Sequence, residues 1–222
     1  RIAPRDMREM GAQAVITNAY IIHGSQRFRK VALKDGIHSL IDFDGPVMTD
    51  SGSFQIYTYG DVDLDPVEIV RFQKDIGSDI GTILDLFSAD ASYEEAQRQV
   101  EETMRRARAS VPEKGDMQLA CTVQGGTYPE LREHCATEMA SLAADVHPIG
   151  GVVPLMEQQR YADLAQIIIA AKKGLPPGRP VHLFGAGHPM VFALAVALGC
   201  DLFDSAAYIK FANDGRLLYP DG

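Results

Sequence analysis

Hydrophobic residues along the chain form short continuous runs that alternate with longer segments of helical periodicity. The short runs are typical of buried strands, and apolar residues spaced three and four apart are typical of amphipathic helices. This pattern predicts strands at 14–22, 45–48, 79–85, 117–123, 147–149 and 181–184, and one that begins at 202. It predicts helices at about 65–76, 92–111, 128–144, 162–173 and 189–198.

Three helix boundaries carry clear local signals. Asp65 and Pro66 combine an N-cap residue with a proline in the first turn. Ser92 and Glu95 have the spacing of a capping box, and Gly174 marks the end of a later helix. The predicted elements therefore alternate as parallel βαβ units, about 30 residues each.

Parallel βαβ units build either an open doubly wound sheet or a closed (β/α)8 barrel. An open sheet concentrates its site where the strand order reverses, whereas a barrel collects residues from many strand ends. Polar residues or glycines follow most of the predicted strands, namely Asp50, Asp85, Gln124, Gly150–Gly151, Gly185–Gly187 and Asp204. This spread favours an α/β fold of the (β/α)8 TIM-barrel type.

Composition is that of an ordinary globular protein. Hydrophobic residues are 46% and charged residues 23% of the 222 residues, which suffices for one large domain with a sizeable core. The longest apolar run, Val191–Leu198, is too short to span a bilayer, and the first residues lack the apolar region of a signal peptide. The three cysteines are too far apart to suggest a disulfide framework. We therefore expect a cytoplasmic protein without membrane contact.

The net charge of −9 disfavours nucleic-acid binding by the surface as a whole. It leaves room for a local basic track, because salt screens charges beyond roughly 10 Å. The densest basic run is Arg105, Arg106 and Arg108, on a predicted helix. We interpret this run as a solvated helix face rather than as an RNA-binding patch.

Two aspartates, Asp50 and Asp204, each follow an apolar stretch and precede three small residues. Small residues leave room beside a carboxylate, and the nearby rings of Phe54 and Tyr208 offer flat faces. Such a pocket suits a planar, polar ligand. A single aspartate at a strand end is often only a helix cap or a turn residue. The pair with its flanking residues indicates the active site of an enzyme that acts on a nucleobase.

Five motifs follow one another along nearly the whole chain. They are Asp50-Ser51-Gly52-Ser53-Phe54-Gln55, Val123-Gln124-Gly125-Gly126, Gly150–Glu157, Phe184–Pro189 and Phe203–Tyr208. Together they resemble the tRNA-guanine transglycosylases, and most closely the archaeal form, since bacterial members carry a second glycine where Ser53 stands. The resemblance implies a modified (β/α)8 barrel that exchanges guanine in tRNA for a 7-deazaguanine base without a nucleotide cofactor. For archaeal members it implies 7-cyano-7-deazaguanine at position 15, in archaeosine biosynthesis.

By matching motif, the resemblance makes Asp204 the nucleophile that attacks the ribose C1′ and Asp50 the general acid/base. A carboxylate can form such a glycosyl ester. Guanine leaves readily only when its anion is protonated or hydrogen-bonded as it departs. The incoming base must then lose a proton before it can attack.

The resemblance also implies substrate-binding roles for Asp85, Gln124, Gly151, Val152, Phe54 and Phe184. The first two would hydrogen-bond the purine edge, the next two would offer main-chain groups, and the two rings would sandwich the base. Stacking of this kind is worth about 1–3 kcal/mol per base. Plainer roles stay open from the residues alone: a cap for Asp85, a turn for Gln124, and core packing for the phenylalanines.

Further expectations also come from the resemblance. Residues 1–222 would be a partial catalytic barrel domain that lacks the first barrel strand. A zinc site, with none of its ligands in this chain, C-terminal RNA-binding domains and dimer contacts would lie in the rest of the protein. The expected partners are tRNA, guanine, the incoming base and a second copy of the protein.

Two other function classes stay open. A barrel hydrolase could use Asp50 and Asp204 on a small glycoside or nucleoside, and release of free base without tRNA would identify it. A non-catalytic subunit for RNA modification could retain the fold alone. The presence of both aspartates and of the base-reading positions disfavours the subunit.

Overall fold

A computed structural model of the chain describes residues 2–60, 64–88 and 90–217. Within these residues, each predicted strand overlaps an observed one, and the five predicted helices are found. Six further α-helices among the same residues were not predicted, and one or two α-helices follow each strand. The strands are β1 (Val15–Asn18), β2 (Val47–Asp50), β3 (Ile80–Thr82), β4 (Gln118–Ala120), β5 (His147–Ile149), β6 (Val181–Leu183) and β7 (Leu202–Phe203). The α-helices are α1 (Pro4–Glu9), α2 (Ala19–Gly24), α3 (Gln26–Ile41), α4 (Ser53–Tyr59), α5 (Pro66–Asp75), α6 (Tyr93–Ser110), α7 (Pro129–Ser141), α8 (Val153–Glu157), α9 (Tyr161–Gly174), α10 (Pro189–Ala197) and α11 (Ala207–Asn213), with a short 3-10 helix at Val111–Glu113.

All of these strands are parallel, and their neighbours follow chain order. One sheet runs β1-β2-β3-β4 and another runs β5-β6-β7, and bridges from Ala120 to Val146 and from Val123 to Ile149 link the two. The strand order therefore never reverses, as it would at the switch point of an open doubly wound sheet. The predicted α/β fold with parallel strands is confirmed, although within the described residues β1 and β7 do not pair to close a barrel.

The first predicted strand, residues 14–22, is wrong over its second half. β1 ends at Asn18, and α2 begins with the next residue. The Asn18 side chain caps this helix by accepting a hydrogen bond from the Ile21 N–H at 2.9 Å. Ile22 is buried whereas Ile21 is 53% exposed. The second half of the apolar run is therefore a short helix with one solvent-exposed face.

The hydrophobic pattern also misses α3, because this helix buries little of its surface. Only Ala32 and Ile37 are buried in it, and Gly36 interrupts its geometry with a φ of +83°. A helix with so narrow a buried face gives a weak periodic signal. Across the part of the chain that the structure describes, no helix has the length and apolar character needed to cross a membrane.

The two faces of the sheet bury different sets of residues. Adjacent residues of a strand point to opposite faces, so Leu119 packs into the large core under the helices while Ala120 does not. Ala120 belongs to a small cluster with Met48 and Val146, and Phe184 packs against it. We call this small cluster the floor cluster, because it lies beneath the residues at the strand ends.

Candidate active site

Asp50 is the last residue of β2, and the neighbouring strand holds its carboxylate. Asn18 pairs with Asp50 in the β1–β2 register, and its Nδ2 donates to Asp50 Oδ2 at 2.8 Å. Gly52 follows with a φ of +106°, and a Cβ there would lie 2.5 Å from Tyr20 Cβ. Only glycine fits this turn without strain. The turn therefore brings α4 directly beside the carboxylate.

The surroundings of Asp50 raise its pKa to about 7. Burial of the carboxyl group is the largest cause, and the negative charges of Asp85 and Asp204 add to it. Main-chain N–H groups of Gly52 and Ser51 oppose the shift. Both protonation states are therefore populated near neutral pH, which lets one carboxyl group donate a proton and later accept one.

Asp85 lies just beyond β3, buried between two side-chain donors. Ser53 Oγ donates to Asp85 Oδ1 at 2.7 Å and accepts from the Asp85 N–H at 3.0 Å. Gln124 Nε2 donates to Asp85 Oδ2 at 2.6 Å. Burial raises the pKa of Asp85, and the two donors oppose that shift. The two residues expected to read the purine edge are thus bound to each other.

The Gly150–Gly151 pair makes room for the side chain of Gln124. A Cβ at Gly150 would stand 2.2 Å from Gln124 Nε2, and one at Gly151 would stand 3.0 Å from Gln124 Oε1. This Oε1 atom is buried and has no hydrogen-bond partner among the described residues. The side chain of Val152 is buried in the large core. Only the main chain of Val152 can therefore contribute to a ligand site.

Asp204 directly follows β7, and one of its oxygens meets two groups from β6 and the loop after it. The Gly185 N–H donates to Asp204 Oδ1 at 2.7 Å, and His182 Nε2 lies 2.8 Å from the same atom. A Cβ at Gly187 would stand 1.9 Å from Ser205 Cβ. The glycine loop after β6 thus packs closely on the predicted nucleophile and its neighbour.

The two predicted stacking rings lie in different settings. Phe184 is half-buried on the floor cluster, with its ring 4.6 Å from that of His182. Phe54, on α4, is 46% exposed and lies 6.0 Å from Tyr57, which stacks on Phe87 at 4.8 Å. Within the described residues no direct ring pair joins Phe54 to Phe184. Tyr57 and Phe87, which the sequence did not single out, add an aromatic surface beside Phe54.

Residues 1–222 match the family model described as "TGT: Queuine tRNA-ribosyltransferase". The chain belongs to this family. It is 54% identical to the tRNA-guanine(15) transglycosylase of Methanothermobacter thermautotrophicus. The alignment spans 218 residues and covers 98% of the chain and 33% of that relative. It is 53% identical to the protein of the same name from Methanopyrus kandleri. This alignment spans 216 residues and covers 97% of the chain and 47% of that relative. The chain thus spans between about a third and a half of the length of these relatives.

In this member of the ribosyltransferase family, Arg132 is a site residue that the sequence analysis missed. Its Nη1 donates to the carbonyls of Val123 at 2.8 Å and Gly150 at 2.9 Å, and its Nε donates to Gly126 O at 2.9 Å. Burial lowers the pKa of Arg132 to about 10. Arg132 lies on the buried face of α7 together with Cys135. A charged residue at an apolar helical position was the signal available in the sequence.

We expect Arg132→Met to lower the free energy of unfolding by about 3–5 kcal/mol. Methionine fills part of the volume but removes the Arg132 donors from the carbonyls of Gly126 and Gly150, at about 1–3 kcal/mol each. Val123 O keeps the hydrogen bond from the Gly150 N–H at 3.1 Å. Arg108→Met is the matched control, since Arg108 is half exposed and pairs with Glu138 on the surface, where an ion pair contributes about 0–1 kcal/mol. Urea unfolding of both variants measures the difference. Equal losses would contradict a structural role for the buried guanidinium.

Proposed function

We propose that this chain carries the catalytic site of a tRNA-guanine transglycosylase that acts at position 15 of tRNA. The observation that carries the proposal is that the negative charges of Asp85 and Asp204 both act on the buried Asp50. Asp85 is itself hydrogen-bonded to Gln124. The archaeal relatives named tRNA-guanine(15) transglycosylase support the choice of substrate and position. The target nucleotide must leave its stack to enter the site.

In the first step, a carboxylate oxygen of Asp204 forms a bond to the ribose C1′ while the bond from C1′ to guanine N9 breaks. The electron pair of that bond goes to guanine, and the protonated Asp50 supplies a proton to the departing base. A pKa of about 7 keeps a large share of Asp50 protonated at neutral pH. The products are free guanine, a covalent aspartyl–ribosyl ester and an ionised Asp50.

In the second step, the ionised Asp50 takes the N9 proton from the incoming base. The base nitrogen then attacks C1′, the ester bond breaks, and its electron pair returns to Asp204 as a carboxylate. Asp50 ends the cycle protonated, ready for another turnover. The balance needs no external oxidant or phosphate donor, because one glycosidic bond replaces another.

The residues around the site favour a neutral 7-substituent, and we propose 7-cyano-7-deazaguanine as the incoming base, in archaeosine biosynthesis. Val152 and Val153 follow the glycine pair and offer no charge partner for an aminomethyl group. Glu157, the nearest acid along this segment, is 65% exposed and faces Lys210 at 3.8 Å. A nitrile therefore fits the available side chains better than an ammonium group.

We expect Gly150→Ala to raise KM for the incoming base about 10-fold or more in the full-length parent protein. Its methyl group would collide with Gln124 Nε2, 2.2 Å away, and pull this amide from Asp85. A misplacement of about 1 Å in a site can cost about 100-fold. Gly24→Ala is the matched control, because a Cβ at Gly24 meets nothing within 4 Å. Steady-state base exchange with both variants tests this, and equal KM values would count against the packing argument.

We propose that the full-length parent closes the parallel sheet into a (β/α)8 barrel, binds zinc and forms a cytoplasmic homodimer. The unbroken chain order of the strands supports the barrel, and the family resemblance supports the rest. Residues 1–222 would then be part of one catalytic domain. Among the described residues, no group of three or more His, Cys, Asp or Glu side chains could hold a metal ion. None of them is therefore assigned to zinc.

The deciding experiment is base exchange by the full-length parent protein. Unmodified tRNA with radiolabelled guanine at position 15 is incubated with 7-cyano-7-deazaguanine and either the wild type or Asp204→Asn. Loss of label with the wild type alone supports the proposal. Retained label with both, in a folded protein that still binds tRNA, would point to a non-catalytic subunit. Release of free base from a nucleoside without tRNA would point to a hydrolase.

A further inference from the structure

His182 is a buried imidazole that reaches the predicted nucleophile from the neighbouring strand. It lies on β6, is 3% exposed, and places Nε2 at 2.8 Å from Asp204 Oδ1. The β6–β7 register pairs His182 with Leu202. Asp204 is two residues beyond Leu202 and follows the end of β7. The contact therefore joins residues that are held by the pairing of two strands.

The hydrogen bond fixes which nitrogen of His182 carries a proton. A carboxylate oxygen only accepts, so Nε2 must be the donor. The other nitrogen, Nδ1, is buried and has no hydrogen-bond partner within the described residues. The hydrogen bond to Asp204 is therefore the one strong polar contact of the His182 ring, and Nδ1 stays unsatisfied. A side chain needed only for packing would be apolar at this position.

Two donors converge on a single oxygen of Asp204. The Gly185 N–H approaches Oδ1 at 2.7 Å, and the His182 Nε2–H approaches it at 2.8 Å. Among the described residues, the Asp204 side chain makes no other hydrogen bond. Oδ1 is thus committed to the protein, which leaves Oδ2 as the atom free to react.

We infer that His182 is a positioning residue that holds Asp204 Oδ1 and so presents Oδ2 to the ribose C1′. This inference rests on the proposed transglycosylase function. In the covalent ester, Oδ2 carries the sugar and Oδ1 is the carbonyl oxygen. When the ester breaks in the second step, the electron pair returns to Oδ2 and the charge spreads onto Oδ1. Preorganised donors at an oxygen that gains charge accelerate such steps.

The test uses three substitutions in the full-length parent protein. His182→Leu removes the donor. His182→Gln places an amide N–H near the former Nε2, whereas His182→Asn places it near Nδ1, short of Asp204. The measurements are the single-turnover rate of covalent tRNA capture, and kcat and KM for exchange of 7-cyano-7-deazaguanine. The glutamine and asparagine variants share polarity and differ in reach, so they decide the matter even where the leucine variant fails to fold.

We expect His182→Leu and His182→Asn to lower the capture rate about 100-fold, because Oδ2 is then no longer aimed at C1′. We expect kcat to fall by a similar factor, because cleavage of the ester also loses a preorganised donor. We expect KM for the incoming base to stay within about threefold, and His182→Gln to recover at least tenfold of the lost rate. Equal rates for the glutamine and asparagine variants would overturn the inference, and so would a leucine variant with the wild-type kcat. The proposed function would stand in either case, provided that the wild type exchanges the base. A wild type that exchanges no base would overturn both.

Discussion

Replacing Asp204 with asparagine is expected to abolish covalent tRNA capture and to slow base exchange at least about 10⁴-fold in the full-length parent protein. Removal of a catalytic nucleophile costs this much or more in other enzymes with covalent intermediates. The amide cannot form the ester with the ribose C1′. It keeps an oxygen for the Gly185 N–H and the His182 Nε2–H. The fold and the tRNA affinity should therefore survive while the chemistry is lost.

Asp201→Asn is the matched control for this substitution. Asp201 lies three positions earlier, is exposed, and accepts a hydrogen bond from the Val181 N–H at 2.9 Å. An asparagine oxygen can keep that bond, so exchange by the control should stay within about threefold of the wild type. Denaturing gels of enzyme incubated with labelled tRNA report the covalent complex directly. Capture that persists in Asp204→Asn would assign the nucleophile to another residue.

Asp50→Asn is expected to slow exchange by about 10² to 10⁴-fold, the usual contribution of a general acid/base. Asparagine can accept from Asn18 Nδ2 as Asp50 does at 2.8 Å, but it has no proton to give to guanine and cannot take one from the incoming base. Both steps should therefore slow. Single-turnover capture and steady-state exchange measure them separately. If only one step slowed, the dual acid/base role would be refuted.

The same substitution should stabilise the folded protein above neutral pH. Folding raises the pKa of Asp50 from 3.8 to about 7, so between these values the folded state holds a proton that the unfolded state has lost. The free energy of unfolding consequently falls as pH rises from about 4 to about 7, and the penalty is complete above pH 7. Asp50→Asn removes the penalty, on the order of 2–4 kcal/mol at pH 8.

Urea unfolding at pH 5 and pH 8 checks this sign. The stabilisation by Asp50→Asn should be larger at pH 8 than at pH 5, because less of the penalty has developed at the lower pH. Asp201→Asn again serves as the control, with little change at either pH. A variant less stable than the wild type at pH 8 would show that the ionised carboxylate stabilises the fold, contrary to the burial argument.

The parallel framework could be predicted because its strands bury continuous apolar runs, which leave a clear pattern in the sequence. The 147–149 and 181–184 predictions match β5 and β6 to within a residue. The failures at α2 and α3 have a different cause. Residues 19–22 of α2 continue an apolar run into a helix, and α3 buries too little surface to produce a period.

Candidate site residues could be picked out where a polar residue lies at or just beyond the end of a strand. Asp50, Asp85, Gln124 and Asp204 lie at such positions, and the pKa of Asp50 reflects two of the others. His182 could not be recognised from the sequence. It lies inside a strand, and its partner Asp204 is 22 residues away in sequence. Contacts of this kind depend on strand register, which an isolated sequence does not display.

The Oε1 atom of Gln124 is buried and has no hydrogen-bond partner among the described residues. One consequence concerns which purines the proposed enzyme would accept. Under the proposed function, a base that displaces the neighbours of Asp85 and Gln124 meets a carboxylate and an amide oxygen, so it must bring N–H groups. Guanine and its 7-deaza analogues present a ring N–H and an amine on one edge. Hypoxanthine lacks the amine, and adenine places a lone pair where the ring N–H is needed. Each unmet acceptor costs about 1–3 kcal/mol, so we expect the proposed enzyme to discriminate against bases that cannot donate at both positions.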